Sequence, residues 1–320
     1  MEKVKNLKVE KRSSSNQEYE LDEPGQFVLV SNTTYGYEFP DYKVGFLERL
    51  RMFEHNRDRL INSLEMNGNG SAIILHEPRP TRPSFIWKKG DDTLSFYEMM
   101  EDLCDPEKPS PGFLIFVLQG HGDEAGNIYL GHKNGCNEDC PHKSTNQCAR
   151  LNINGQVIKK IQDSKRFLGK PKVFIIDCCR GPNQPRALAK GGGYEERREY
   201  WPEGADTFIA RSTLQDMKAI GLITEGSYFI KSICEEFDQL KLKCRSEGEN
   251  LTELDVLRTE IHQFFQPVLF QAAMKVSGVN AKEEVISKQQ PEITHTLNKR
   301  LLLSKLITTM TPPPSESGDQ

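Results

Sequence analysis

Two runs decide what this chain can become: GFLIFVLQ at 112–119 and KVFIID at 172–177. Neither alternates polar with apolar. A strand that is apolar almost throughout must be covered on both faces, the situation of a parallel sheet in an α/β fold. Further strands are expected at 27–31 (FVLVS), 71–77 (SAIILHE) and 206–213 (DTFIARST), with a last one at 299–303 (KRLLL). Between them, 44–64 carries Phe46, Leu50, Phe53, Leu60, Ile61 and Leu64 at helical spacing. Helices are also expected near 93–103, 153–164, 226–243 and 251–272. Strands alternating with helices predict a three-layer α/β sandwich, one mostly parallel sheet of about six strands with helices on both faces.

Composition shifts divide the chain. Residues 1–24 are polar and charged and read as a short disordered leader without a signal-peptide h-region. Residues 25–180 form a larger region, interrupted by a polar insertion at 132–154. A linker rich in Pro, Gly and charge follows at 181–204, then a smaller region at 205–310 and a disordered tail at 311–320. No apolar run approaches the ~20 residues a membrane span needs. A net charge of -4 gives no basis for binding nucleic acid or an anionic membrane surface. The expected setting is cytoplasmic, where the eight cysteines stay reduced and read as buried, catalytic or metal-binding.

Two strand ends carry reactive groups: Gln119-Gly120-His121-Gly122, and Asp177-Cys178-Cys179-Arg180-Gly181. In an open parallel sheet, sites form beyond the carboxyl ends of the strands. A cysteine thiolate there can attack an acyl carbon while an imidazole protonates the leaving amine. The N–H of Gly122, with that of the cysteine, can hold the oxyanion.

The succession GHGDEAGNIYL, GKPKVFIIDCCRG, GADTFIARST and EGSYFIKSICEEF resembles the caspases, peptidase family C14. Their signature is Gln-Ala-Cys-Arg-Gly with the His roughly 50 residues upstream. The likeness runs from about Gly25 to Leu303. It implies a caspase-like fold with large- and small-subunit regions. Cys179 matches the nucleophile, His121 the general acid/base, and Gly122 with Cys179 the oxyanion donors. Cys178 takes the place of the alanine and reads as a buried residue. The resemblance implies no cofactor.

The pocket departs from the family. Caspases grip a substrate aspartate with the signature glutamine and two arginines. Here the glutamine is Asp177, and Ala219, Ile220 and Gly221 stand where Ser-Trp-Arg is usual, so the second arginine is gone. Arg49 and Arg51 are near the place of the first, and Arg211 and Ser212 complete the expected pocket. No aspartate lies between Arg180 and Ala205, so self-processing at Asp within the linker is unavailable, while Arg186, Lys190, Arg197 and Arg198 are present. YELD at 19–22 resembles a site another caspase would cut. An altered pocket behind a short leader is similar to divergent caspase homologues in nematodes.

Two readings follow. In one, the protein is a caspase homologue with weak or no Asp-directed peptidase activity. It regulates apoptosis by binding a caspase, its zymogen or a subunit, and a homodimer through the small-subunit edge strand is a further expectation. In the other, it is an active cysteine endopeptidase whose Asp177 selects Arg or Lys, since the related metacaspases hold an aspartate at that spacing. In the insertion, Cys136, Cys140, His142 and Cys148 suit tetrahedral zinc by residue type. Their spacing is irregular, and they fit four unrelated loop residues as well, so no metal is assigned.

Overall fold

The computed structural model describes residues 17–21, 23, 25–31, positions 52, 55–56, 58–60 and 62–63, then 72–76, 86–89, 92–94, 96–120, 122–123, 125–129, 150–181, 205–214, 217, 219–222, 224–246, 259–277 and 289–303. The strands in chain order are β1 (Gln26–Ser31), β2 (Ala72–His76), β3 (Ile86–Lys89), β4 (Asp92–Leu94), β5 (Leu114–Gly120), β6 (Asn127–Tyr129), β7 (Arg150–Asn152), β8 (Lys172–Cys178), β9 (Thr207–Arg211), β10 (Gly221–Leu222), β11 (Gly226–Ser227) and β12 (Glu292–His295). The helices are α1 (Phe96–Cys104), α2 (Lys159–Asp163), α3 (Tyr228–Ser246) and α4 (Ile261–Ser277).

Eight strands form one sheet in the order β12-β9-β8-β5-β1-β2-β3-β4. The five from β9 to β2 are parallel, and β12 runs antiparallel along β9. The apolar strands β5 and β8 lie in the middle and are buried along their whole length. Alternate residues feed two cores. One face carries Phe27, Leu29, Ile115, Val117, Val173, Ile175, Phe208 and Ala210, covered by α3 and α4 through Phe229, Ile233, Phe237, Phe264, Phe265 and Val268. The other carries Val30, Phe116, Leu118, Phe174, Ile176, Cys178 and Ile209, covered by α1 and the 153–161 segment. Burying one such aromatic or aliphatic side chain contributes about 1.5–3 kcal/mol. The expected sandwich is therefore the observed fold.

Four expectations change in detail. The last strand is β12, not 299–303, which makes only the isolated bridges Glu18↔Arg300 and Glu260↔Leu302. β3 and β4 extend the sheet between β2 and α1, where no strand was expected. The helix expected near 153–164 begins as a π-helical turn, Ile153–Ile158, whose Gly155 N–H donates to the capping Asn152 Oδ1 at 2.7 Å. The segment read as leader supplies two core residues. Tyr19 and Leu21 are buried in the first core, and the Tyr19 hydroxyl donates to Asp206 Oδ1 at 2.5 Å. Burial of two large side chains outweighs the polar composition around them.

Candidate active site

The carboxyl ends of β5 and β8 run side by side, with Gln119 opposite Asp177 and Gly120 opposite Cys178. Gly122 follows in close approach to the end of β8. A Cβ on it would lie 2.3 Å from Cys179 O and 3.1 Å from Cys178 Sγ, so only glycine fits. His121, between these two glycines, lies outside the described residues. So do Arg49, Arg51, Cys136, Cys140, His142 and Cys148, and residues 182–204 of the linker.

The two cysteines part company as the strand ends. Cys178 is 2% exposed and packs in the second core. Burial, with Cys179 and Asp177 beside it, pushes its thiol up to about 12, so it is inert near neutral pH. Cys179 is half-buried, and its Sγ lies 3.9 Å from Ala219 O. Met217 and Ile220 are fastened nearby, with Arg180 N donating to Met217 O at 2.8 Å and Ile220 N to Gln289 Oε1 at 3.0 Å.

Asp177 faces the first core, on the side opposite Cys178. It is 2% exposed. Burial raises its carboxyl to about 6, and the Ser227 and Ser212 hydroxyls pull it partly back. Asn56 Nδ2 stands 3.5 Å from Oδ2, while Oδ1 completes no hydrogen bond, and neither does the Ser212 hydroxyl. The Ser212 influence on the carboxyl is thus one of proximity, and burial dominates. Asn56 Oδ1 accepts from Ser227 N at 2.8 Å, which ties the helical residues around 56 to the β10–β11 hairpin. Arg59 Nη1 adds a bond to Glu225 O at 2.7 Å.

The pocket expectation needs one correction. Ser212 belongs with Asp177, on the face of Phe208 and Ala210. Arg211 does not, because strand alternation turns it to the other face, with Ile209. There it donates to Asn154 Oδ1 at 3.0 Å and lies 3.8 Å from Glu292 Oε1, which Arg180 also contacts. Burial, followed by the like charge of Arg180, lowers the Arg211 guanidinium to about 10. At Gly221, a Cβ would meet Gly226 O at 2.6 Å, Ser227 Cα at 2.7 Å and Met52 Sδ at 2.8 Å. The hairpin therefore leaves no room for a side chain where the second arginine is expected.

Sequence reading missed Asn56, Ser227 and Glu292. The one signal for Asn56 was a short polar residue inside an otherwise amphipathic helical stretch. Among the described residues no group of three or more His, Cys, Asp or Glu could hold a metal ion, and no helix is long and apolar enough to cross a membrane.

A model of the caspase domain, Peptidase C14, matches residues 94–302, more than half of the chain. The chain is similar to mouse caspase-8, 24% identical over 144 residues, covering 42% of this chain and 26% of that protein. It is similar to caspase-3 of Xenopus laevis, 24% identical over 221 residues, covering 59% and 70% respectively. Against rabbit (Oryctolagus cuniculus) caspase-3 it is 29% identical over 139 residues, covering 43% of this chain and 44% of that protein. The match thus spans less than two thirds of the caspase-8 and of the rabbit caspase-3. The fold is similar to the crystal structure of caspase-1 from Spodoptera frugiperda, with a TM-score of 0.57 and 17% identity over 94% of this chain and 97% of that one. A cysteine-bearing strand end set against a glycine-flanked one, in this sheet and with this family match, makes the chain a member of the caspase family.

Proposed function

We propose that this caspase-family protein does not cleave efficiently after aspartate and acts by binding a caspase, its zymogen or a subunit, in the cytoplasm, to regulate apoptosis. The observation that carries this reading is Asp177, a buried acid under the β10–β11 hairpin where the family places a glutamine. Hydrogen bonds to a charged group contribute about 1.5–3 kcal/mol each. Without the glutamine and the arginine replaced by Gly221, a substrate carboxylate loses roughly 4–6 kcal/mol, about three to four decades in kcat/KM. A second carboxylate ~4 Å from Asp177 adds about 1–4 kcal/mol of repulsion.

A second reading is favoured by Asp177 Oδ1, which completes no hydrogen bond. In it the protein is a cysteine endopeptidase that prefers Arg or Lys. Cys179 is the nucleophile, His121 donates the proton to the leaving amine, and the N–H groups of Gly122 and Cys179 hold the oxyanion.

The test is cleavage of a peptide library varied at the residue before the scissile bond, with Cys179→Ala as control, beside inhibition of a caspase zymogen's self-processing. Inhibition that survives Cys179→Ala, with no turnover after Asp, is the expected result. Efficient turnover after Asp that vanishes in the control overturns the first reading.

A further inference from the structure

The linker at 181–204 joins two regions of the chain that the sheet also joins, through β8 and β9. A third tie comes from the segment before β1. Tyr19 N donates to Arg300 O at 3.1 Å, and Arg300 N donates to Gln17 O at 2.9 Å. The Tyr19 hydroxyl donates to Asp206 Oδ1 at 2.5 Å and accepts from Asn298 N at 3.2 Å. Asn298 Nδ2 lies 3.4 Å from the same carboxylate oxygen, and Lys299 Nζ stands 5.9 Å from the centre of the Tyr19 ring. Tyr19 and Leu21 both sit in the first core. Each of these polar partners lies after the linker in sequence, while residues 17–21 lie before it.

We infer that Gln17–Leu21 is a clasp that keeps 205–303 seated on the sheet when the linker is severed, with the Tyr19 hydroxyl on Asp206 as its latch. The inference is independent of whether the chain cleaves peptides. A chain that acts by binding a caspase loses its surface if a cut in the linker lets the two regions part, and the clasp removes that dependence. It also gives YELD a structural part. Its tyrosine and leucine are core residues, and the tyrosine backbone is paired with Arg300.

Asp206 is where the latch has to act. The chain enters β9 directly after it, and among the described residues it is the one non-glycine with a positive φ, 62°. Such a conformation persists only where its surroundings hold it. Its backbone is held by Thr296 O, at 3.1 Å from its N, and by Lys172 N, at 2.8 Å from its O. Its side chain is held by Tyr19 and Asn298. Burial, followed by the Asp206 carboxylate, raises the Tyr19 hydroxyl above its ordinary range, so it stays a donor at physiological pH. A hydroxyl donating to a carboxylate makes a bond roughly twice as strong as one between neutral groups. Cutting the linker turns the remaining ties into an association between two pieces. Each hydrogen bond across the boundary then bears directly on how long the pieces stay together.

The test uses the full-length chain with a site for a sequence-specific protease placed in the linker. After complete cutting, fluorescent labels at the two termini report the separation of the pieces on dilution. The cut chain is expected to stay together at micromolar concentration. Tyr19→Phe keeps the ring and deletes the latch, and is expected to speed separation about tenfold. Deleting residues 1–21 is expected to speed it about a hundredfold. Leu103→Val is the control, on α1, which packs against β3, β4 and the 165–167 turn. It is expected to lower the urea midpoint of the uncut chain and to leave the rate of separation unchanged. In an Asp206→Asn chain, Tyr19→Phe is expected to add little. Equal rates for the parent and Tyr19→Phe, or a cut parent that parts as fast as the chain lacking 1–21, overturn the inference. So does a Leu103→Val chain that separates as fast as Tyr19→Phe, which makes Tyr19 one more stabilising contact. A full effect of Tyr19→Phe in the Asp206→Asn chain overturns the assignment of the latch to Asp206.

Discussion

Arg180 Nη1 meets Glu292 Oε1 at 2.5 Å, so the residue after the candidate nucleophile is pinned to the edge strand β12. The same guanidinium nitrogen donates to Thr213 O at 3.2 Å, and Arg211 shares the carboxylate. Both arginine side chains are under a tenth exposed.

Removing the carboxylate therefore strands two buried cations. Glu292→Gln is expected to cost about 3–5 kcal/mol, the range for breaking a buried pair from one side. Arg211→Met removes the surplus cation, leaves the Arg180 pair in place, and is expected to cost less than about 1 kcal/mol. Urea midpoints at constant slope check both. Equal losses in the two variants would mean that Arg211, and not Arg180, is the principal partner of Glu292.

Asp177 gives stability a pH dependence of unusual sign. Its carboxyl is raised to about 6 in the folded chain, from 3.8 unfolded. The folded state then holds the proton more tightly, so this group's stabilising contribution is full below the unfolded value and is lost as pH rises through the folded one. The loss is about 3 kcal/mol between about pH 4 and pH 6. Asp177→Asn is expected to flatten that segment of the profile and to stabilise the chain at neutral pH. Denaturant midpoints across this range measure it, and a variant whose profile parallels the parent's would place the titration elsewhere.

Most of the fold was legible because period and polarity agree. β5 and β8 are apolar on both faces, and Phe208, Ala210 and Ser212 alternate with Ile209 and Arg211. That alternation was enough to separate Ser212 from Arg211, but matching the segment to the family pattern grouped them in one pocket. Asn56 was not legible. Its importance comes from a backbone amide of Ser227, 171 residues away in sequence, and no local pattern encodes such a contact. β12 was missed for a related reason: EITH has little apolar content, and it is held by the edge of β9 and not by burial of its own. Tyr19 looked like leader because its neighbours are polar, while its own ring and hydroxyl fix the segment.

The contact between Gly226 and Asn56 predicts a coupled pair of substitutions. Gly226→Ala meets both the left-handed backbone and the asparagine oxygen, and is expected to cost about 2–3 kcal/mol. Asn56→Gly removes the obstructing oxygen but not the backbone strain. In the double variant about half of the Gly226→Ala cost should disappear, a non-additivity readable from a four-member set of thermal or urea unfolding curves. Strict additivity would show that the hairpin does not rest on Asn56.

Restoring the family residues is the sharpest check on the pocket. Asp177→Gln returns the missing donor, and Gly221→Arg the missing arginine, yet the arginine has nowhere to begin. Its Cβ falls 2.6 Å from Gly226 O and 2.7 Å from Ser227 Cα. Both are backbone atoms that a rotamer change cannot move, so the β10–β11 pairing must open before the side chain can point anywhere. Gly221→Arg is therefore expected to lower the melting temperature by several degrees, about 1–3 kcal/mol for an overpacked site. The Asp177→Gln, Gly221→Arg double variant is expected to stay without measurable turnover after aspartate. A fluorogenic aspartyl substrate, assayed beside a differential scanning melt, reads both quantities from one preparation. Turnover after aspartate in a chain that melts like the parent would mean the hairpin already moves aside, and that the lost side chains alone, not the closed backbone, keep this pocket from its family's substrate.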